Sequence, residues 1–277
     1  GVEKVKDPGH AGLPTFCNTK KWHPVIGTIR SAPGQYAMAA TRYFSQYGLS
    51  PEEGKRTLAK ISVKSHYNGA HNPKAHLRRE VTLEQVMNAP IIAWPLGLFD
   101  CCGVTDGAAA AILCRTEDAK RFRDDYVTIK GLGISVGPLE GDLRTDYDYT
   151  LWNETWYASR QAYEQAGIKD PRKELDIAEI HDCFSIAELI AIESLGFSER
   201  GHAKEDVDAD AFTLKGELPV NAGGGLKSFG HPVGASGTRE AYEVYKQIQG
   251  KAEFPERQLK NVRLGLTHNQ GGAPGAF

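Results

Sequence analysis

No single regular helix or strand can absorb the whole stretch from Asn221 to Gly237. It reads Asn221-Ala222-Gly223-Gly224-Gly225 and, after a short interval, Gly230-His231-Pro232-Val233-Gly234-Ala235-Ser236-Gly237. Glycine without a side chain lets the backbone turn sharply and approach a ligand closely, so this stretch belongs in a loop built around something. Pro219-Val220-Asn221 leads into it, and Ser236 to Gln249 reads as the helix that follows. The same theme recurs upstream, where the strand Asp176 to Ile180 runs through His181-Asp182-Cys183-Phe184 into a helix over Ser185 to Leu195. It recurs again where the strand Val262 to Leu266 runs into Thr267-His268-Asn269-Gln270-Gly271-Gly272. Repeated strand, loop and helix predicts an α/β layered sheet with sites at the strand ends.

Upstream the chain is less regular. Residues 1–35 hold a strand end at Gly1 to Val5 and then many breakers, including Pro8-Gly9, Pro14, Pro24 and Pro33-Gly34, which predict irregular chain. Gln35 to Tyr47 carries apolar residues at helical spacing. Ser50-Pro51 then caps and starts a second helix reaching about Ile61 to Val63, or His66. Asn68 to Pro73 reads as turn, Thr82 to Met87 as a short capped helix, and Asp106 to Leu113 as a buried small-residue strand or helix. Thr116 to Asp124 reads as a helix, Tyr126 to Ile134 as a strand, and Trp156 to Ala166 as a helix closed by Gly167.

With 277 residues and 40% hydrophobic content the chain can bury a substantial core in one large or two smaller domains. Lys and Arg total 33 against 35 Asp and Glu, so no excess positive charge argues for nucleic acid or an anionic membrane. No run of about 18 to 20 apolar residues is present and the N-terminus lacks an apolar signal core, which predicts no membrane span and a cytoplasmic location. Five cysteines, an odd number without C-x-x-C pairs, fit reduced thiols. The spacing of His66, His71 and His76 does not place them on one helical face, so no metal site is expected there.

Three loops carry candidate chemistry. Cys183 sits between a strand and a helix N-terminus, where the dipole favours a thiolate, and is a candidate acid/base; a buried cysteine beside a structural histidine is the competing reading. His231 can move a proton near neutral pH on a loop stiffened by Pro232, though a phosphate cradle or plain connection would use similar residues. A P-loop is excluded by the missing G-K-[ST]. The amides of His268-Asn269-Gln270-Gly271-Gly272 can hold an oxyanion. Together the loops suit acyl transfer.

VNAGGGLKSFGHPVGASG, EIHDCFSIAELIAIESLGF and LTHNQGG resemble, in order, the site loops of the thiolase superfamily, and in particular the branch of sterol carrier protein 2 thiolase. GVEKV, YNGAHNP, TLEQVM and CCGVTDGAAAAIL extend the resemblance over nearly the whole chain. It implies a layered α/β/α thiolase fold with mixed five-stranded sheets and an incomplete N-terminal half. The implied organisation is the end of that half in residues 1–19, a loop domain over coenzyme A in 20–97, a return to the N-terminal half in 98–123 and the C-terminal half in 124–277. His231 would activate the acyl-accepting cysteine. Cys183 would be the acid/base on the second substrate's α-carbon, and His181 would join His231 in an oxyanion hole for the thioester enolate. Gln270 and Gly271 would offer amides to the tetrahedral intermediate, while Phe184 and His268 would border the substrate, His268 standing where other thiolases have a second cysteine.

The resemblance thus implies thiolysis or Claisen condensation of a 3-oxoacyl-CoA, with coenzyme A thioesters as substrates and neither cofactor nor metal. It also implies a homo-oligomer, dimer or tetramer, and a possible small zinc-bearing OB-fold partner. None of Cys17, Cys101, Cys102 and Cys114 occupies a strand-to-helix elbow, so the nucleophile is expected before Gly1, the chain is expected to be cut at both ends, and the 277 residues alone are expected to be inactive. A thiolase-fold aldolase acting on a β-hydroxyacyl-CoA and a non-catalytic scaffold are the alternatives. Retention of Cys183 speaks against the aldolase.

Overall fold

A computed structural model describes residues 1–6, 31–138, 140–144 and 146–272. Cys17, the breaker-rich run over 7–30, the expected boundary at residue 19 and Ala273 to Phe277 lie outside the described residues.

The helices start where the capping residues place them. Helix α1 (Ala32–Gln46) follows Ser31, whose hydroxyl accepts the Gly34 N–H at 3.3 Å. Helix α2 (Pro51–Ala70) begins at a reciprocal capping box. The Ser50 Oγ accepts the Glu53 N–H and the Glu53 carboxylate accepts the Ser50 N–H, satisfying two otherwise orphaned donors. Thr82 and Gln85 repeat the arrangement ahead of Leu83–Met87. Helix α2 continues past the expected end at Ile61 to Val63 or His66, so Asn68 lies on a helix and not in a turn.

Among the described residues the strands form three two-stranded pieces and not the five-stranded sheets that a thiolase fold implies. Strand β1 (Val2–Glu3) pairs antiparallel with β4 (Gly107–Ala108), and β2 (Ile91–Ala93) pairs with β3 (Leu96–Gly97). The site is built on the third piece, where β5 (Ile177–Ile180) and β6 (Gly265–His268) run parallel, with Ile177 opposite Gly265 and Ile180 opposite His268. Val220 bridges the other side of β5 at Ala178, so three chain segments lie side by side and end together.

Tyr126 to Ile134 is not a ladder strand. The backbone bonds that a partner strand would make are taken at Leu132 and Ile134 by side chains of helix α3 (Asn153–Ala166). The Gln165 amide donates to the Leu132 carbonyl at 2.7 Å and accepts its N–H at 3.2 Å, and Gln161 does the same for Ile134 at 3.1 and 3.3 Å. Gly131 and Gly133 permit this close approach, because a Cβ on either would overlap helix backbone at Ala162 or Ala158. Similarly, the expected helix over Thr116 to Asp124 is a 3-10 turn at Thr116–Arg121, and only Gly107–Ala108 of the small-residue run is strand, with Ile112 and Leu113 exposed.

The core surrounds helix α4 (Ser185–Ser194), whose residues are all buried. A helix apolar almost all round must be enclosed, and Tyr36, Phe44, Leu58, Ile61, Trp152 and Phe197 enclose it. Burying each large apolar side chain contributes about 1.5–3 kcal/mol. Trp152 is therefore a core residue, whereas Trp94 and Trp156 are exposed. No helix among the described residues is long and apolar enough to cross a membrane.

Candidate active site

Parallel pairing of β5 with β6 brings the His181 loop beside the Asn269 loop, and helix α5 (Val233–Ile248) carries the third loop in from the glycine-rich stretch. The third loop is fastened from both sides. The Asn221 Oδ1 accepts the Ile180 N–H at 2.8 Å, its Nδ2 donates to Glu188 at 2.9 Å, and its carbonyl accepts from Asn68 on α2 at 2.9 Å. Asn72 donates to the Gly223 carbonyl, and Gly224 lacks the Cβ that would strike the Gly69 backbone. Buried Asp182 accepts the Leu226 N–H, tying the π-helical turn Gly225–Phe229 to the loop of His181 and Cys183. Asn221→Ala would orphan the Ile180 N–H and a Glu188 oxygen, and would place alanine at φ 58°. Unfolding by urea should show a loss of about 2–3 kcal/mol.

His181 and His231 meet with ring centroids 5.0 Å apart and planes at 86°. Their hydrogen bonds assign their protons. The Gln270 N–H points at His181 Nδ1 from 3.4 Å, which makes that nitrogen the acceptor and leaves the proton of the neutral ring on Nε2. The Ser236 hydroxyl donates to the Pro232 carbonyl at 3.2 Å and so accepts from His231 Nδ1 at 2.9 Å, leaving His231 Nε2 as the free base. One ring thus offers a donor, the other an acceptor. Burial, with His231 and His268 nearby, holds the His181 pKa well below its ordinary value, and burial beside Arg239 pushes that of His231 down to about 4.

His268 is similarly lowered to about 4 by burial, and its Nε2 lies 3.0 Å from the Thr155 hydroxyl. Because these folded-state values lie below about 6.5, His231 and His268 stay neutral between pH 6.5 and about 4, where an unfolded histidine gains its proton. Imidazole chemical shifts followed by NMR from pH 7.5 to 5 should therefore stay at the neutral position for both and move only on acid unfolding.

Cys183 is buried, and its carbonyl accepts the Cys102 N–H at 2.9 Å. Burial pushes the thiol up, with Cys102 and Asp182 adding to the effect; a hydrogen bond from Tyr36 and the Phe184 N–H at the start of α4 act the other way. Phe184 packs its ring against Tyr36 at 4.5 Å. Gly271 is exposed at the end of the loop, next to Gln270. All the residues read from the sequence therefore gather at one end of β5 and β6. Tyr36, Thr155, Ser236 and Asn221 join them without having been singled out as site residues. For Ser236 a signal existed, its place five residues after His231 on a helix start; for Tyr36, within an ordinary amphipathic helix, none did.

Cys101 and Cys102 are half-buried, burial holds each thiol near about 12, and Cys114 is exposed. None of the three stands at a helix N-terminus. No group of His, Cys, Asp and Glu able to hold a metal ion occurs among the described residues.

Residues 141–275 match the family of thiolase C-terminal domain-like sequences. An acetyl-CoA acetyltransferase of Methanothermobacter thermautotrophicus is 38% identical over 99% of the chain and 69% of its own length. The chain belongs to the thiolase superfamily, on the sterol carrier protein 2 thiolase-like branch. A sterol carrier protein 2 of Oryctolagus cuniculus is 31% identical over 90% of this thiolase-family chain and 44% of its own length. Among solved structures, one titled Ltp2-ChsH2(DUF35) aldolase superposes with a TM-score of 0.73 at 26% identity, covering 87% of the chain. The chain spans 61% of that neighbour's length. An α/β thiolase-like fold is thereby shown.

Proposed function

We propose that these residues perform the enolate-handling steps of a thiolase that cleaves or forms a 3-oxoacyl-CoA. The observation that carries this reading is the convergence of a donor imidazole, an acceptor imidazole and a thiol at the ends of β5 and β6. In the condensing direction, the thioester oxygen of the second substrate takes a hydrogen bond from His181 Nε2. Cys183, as thiolate, removes the α-proton, and the enolate carbon attacks the acyl group on the nucleophilic cysteine, whose thioester bond breaks to release that cysteine as thiolate. His231 Nε2 takes the proton of that cysteine as it is acylated. Gln270 and Gly271 would supply amides to the tetrahedral intermediate, and Phe184 and His268 would border the acyl chain. The acetyltransferase named above supports coenzyme A thioesters as substrates.

The acyl-accepting thiolate is expected outside the described residues, because Cys183 already has a role and Cys101, Cys102 and Cys114 lack the setting. Helix α2 and the turn after it, seated on the glycine-rich loop through Asn68 and Asn72, would form the part of the loop domain nearest coenzyme A. In an active enzyme containing these residues, acetyl-CoA in heavy water should exchange its methyl protons, and 3-oxoacyl-CoA should be thiolysed. Cleavage of a β-hydroxyacyl-CoA without either reaction would establish the aldolase reading, which the fold of the aldolase neighbour supports but the retained thiol does not. The two-component title of that neighbour supports a second subunit as partner, which the family resemblance would make a small zinc-bearing OB-fold protein, to be sought by co-purification. Thiolysis at ordinary enzymatic rates by the 277 residues alone would show that the nucleophile lies within them.

A further inference from the structure

Lys227 lies in the π-helical turn Gly225–Phe229, four residues before His231, and its side chain is completely buried. A lysine shut away from water must find its partners inside. Its Nζ donates to the Ser62 hydroxyl on α2 at 2.8 Å and to the Phe99 carbonyl. Ser62 in turn donates to Asp100 Oδ1 at 3.0 Å. Asp100, also buried, ends the 3-10 turn Leu98–Asp100 after β3 and takes two further bonds, from the Ser185 hydroxyl at 2.7 Å and from the Gly97 N–H at 2.9 Å. A buried cation and a buried carboxylate are therefore joined through one hydroxyl. Between them they grip the glycine-rich loop, α2, the end of β3 and the first residue of α4.

The segment that follows Asp100 runs between two of the site loops. Cys101 bridges Phe184, Cys102 donates its N–H to the Cys183 carbonyl at 2.9 Å, and Val104 bridges His231. Residues 101–104 are thus a spacer with the Cys183 loop at one end and His231 at the other. Asp100 anchors the start of the spacer and, through Ser185, the chain just after Cys183 and Phe184. Lys227 anchors the turn that leads to His231, a turn also tied to Asp182 through the Leu226 N–H. We propose that Lys227 and Asp100 are positioning residues, whose buried link fixes the spacing between the Cys183 loop and His231 at which the enolate meets the acyl group. Enolate formation uses His181 and Cys183, which share one loop, and acylation of the nucleophilic cysteine uses His231 on the other. Only carbon–carbon bond formation and its reverse need both loops at once. Reacting atoms have to approach to about 3–3.5 Å, and a misplacement of about 1 Å costs about 10²-fold. A slackened link therefore spares the two half-reactions and slows the step that joins them.

The inference rests on the thiolase reading proposed above, and the experiment separates the two. In an active enzyme containing these residues, methyl-proton exchange of acetyl-CoA in heavy water reports enolate formation. Intact-protein mass spectrometry reports acylation by acetyl-CoA, and turnover reports condensation and thiolysis. Lys227→Met keeps the unbranched stem and removes the ammonium, while Asp100 retains its bonds from Ser62, Ser185 and Gly97. Condensation and thiolysis should fall about 10²-fold, with KM and both half-reactions within about threefold of the parent. Ser185→Ala is a milder change that cuts the link at its other end. It should give the same split with a smaller loss, and it carries the test if Lys227→Met does not fold. A link that only holds the fold together would lower all of these rates in step. That result, or unchanged condensation in both variants, overturns the proposal. An unsubstituted enzyme that shows neither half-reaction removes the thiolase reading and the role of the link with it, a failure seen before any substitution is made.

Discussion

Replacing Cys183 by alanine in an active enzyme containing these residues should lower condensation and thiolysis by about 10²–10⁴-fold, the range over which a positioned acid or base accelerates proton transfer. Acylation of the nucleophilic cysteine by acyl-CoA should persist, because that step uses His231 Nε2, whose Nδ1 is fixed by Ser236 and not by Cys183. Intact-protein mass spectrometry after mixing with acetyl-CoA would show the added acyl group, while release of the 3-oxo product would be close to background. Cys183→Ser should behave like the alanine variant, since an alcohol at this buried position ionises far less readily than a thiol. The expected pattern is a stalled acyl-enzyme. Loss of acylation together with condensation would mean that the substitution had disturbed the loop as a whole. Condensation within about tenfold of the parent would remove Cys183 from the reaction.

Much of this site is legible in the sequence because its residues are contiguous. His181, Cys183 and Phe184 follow one strand, His231 lies in a glycine-rich loop, and His268 ends another strand that Gln270 follows, so local reading places each near a strand end. Parallel pairing of two of these strands then brings the ends together. What sequence could not reveal are contacts made across the chain. Helix α2 outruns its expected end because Asn68, ordinarily a turn former, spends its amide on the carbonyl of Asn221, and because Gly69 in the last turn leaves room for the Ser228 side chain. Leu132 and Ile134 have the alternation of a strand, yet their partners are two glutamine side chains on a helix, an arrangement with no local signature. Tyr36 is the same case at the site, placed against Phe184 by the packing of α1 on α4 and distinguished by no motif.

Arg257 is the clearest instance, and it carries the largest expected effect on stability. It lies in the turn Pro255–Arg257, a sequence that reads as ordinary surface, yet its side chain is completely buried. Its Nη1 donates to Glu243 on α5 at 2.8 Å and to the Ala222 carbonyl at 2.9 Å, while Nε donates to the His71 carbonyl at 3.1 Å. One guanidinium therefore joins α5, the entrance of the glycine-rich loop and the end of α2. Glu243 is itself buried, so removing the cation leaves a carboxylate in the interior with the Gln247 amide, at 3.1 Å, and the nearby Arg239 cation to stabilise it. Arg257→Ala should cost about 3–5 kcal/mol in urea unfolding, the range for breaking a buried pair from one side. Adding Glu243→Leu should recover part of that loss, because the stranded charge is what makes the single change severe. The recovery should be incomplete, since neither substitution restores donors to the Ala222 and His71 carbonyls. Full recovery would assign the whole effect to the charge, whereas no recovery would assign it to the two carbonyls and to the loop that His231 depends on.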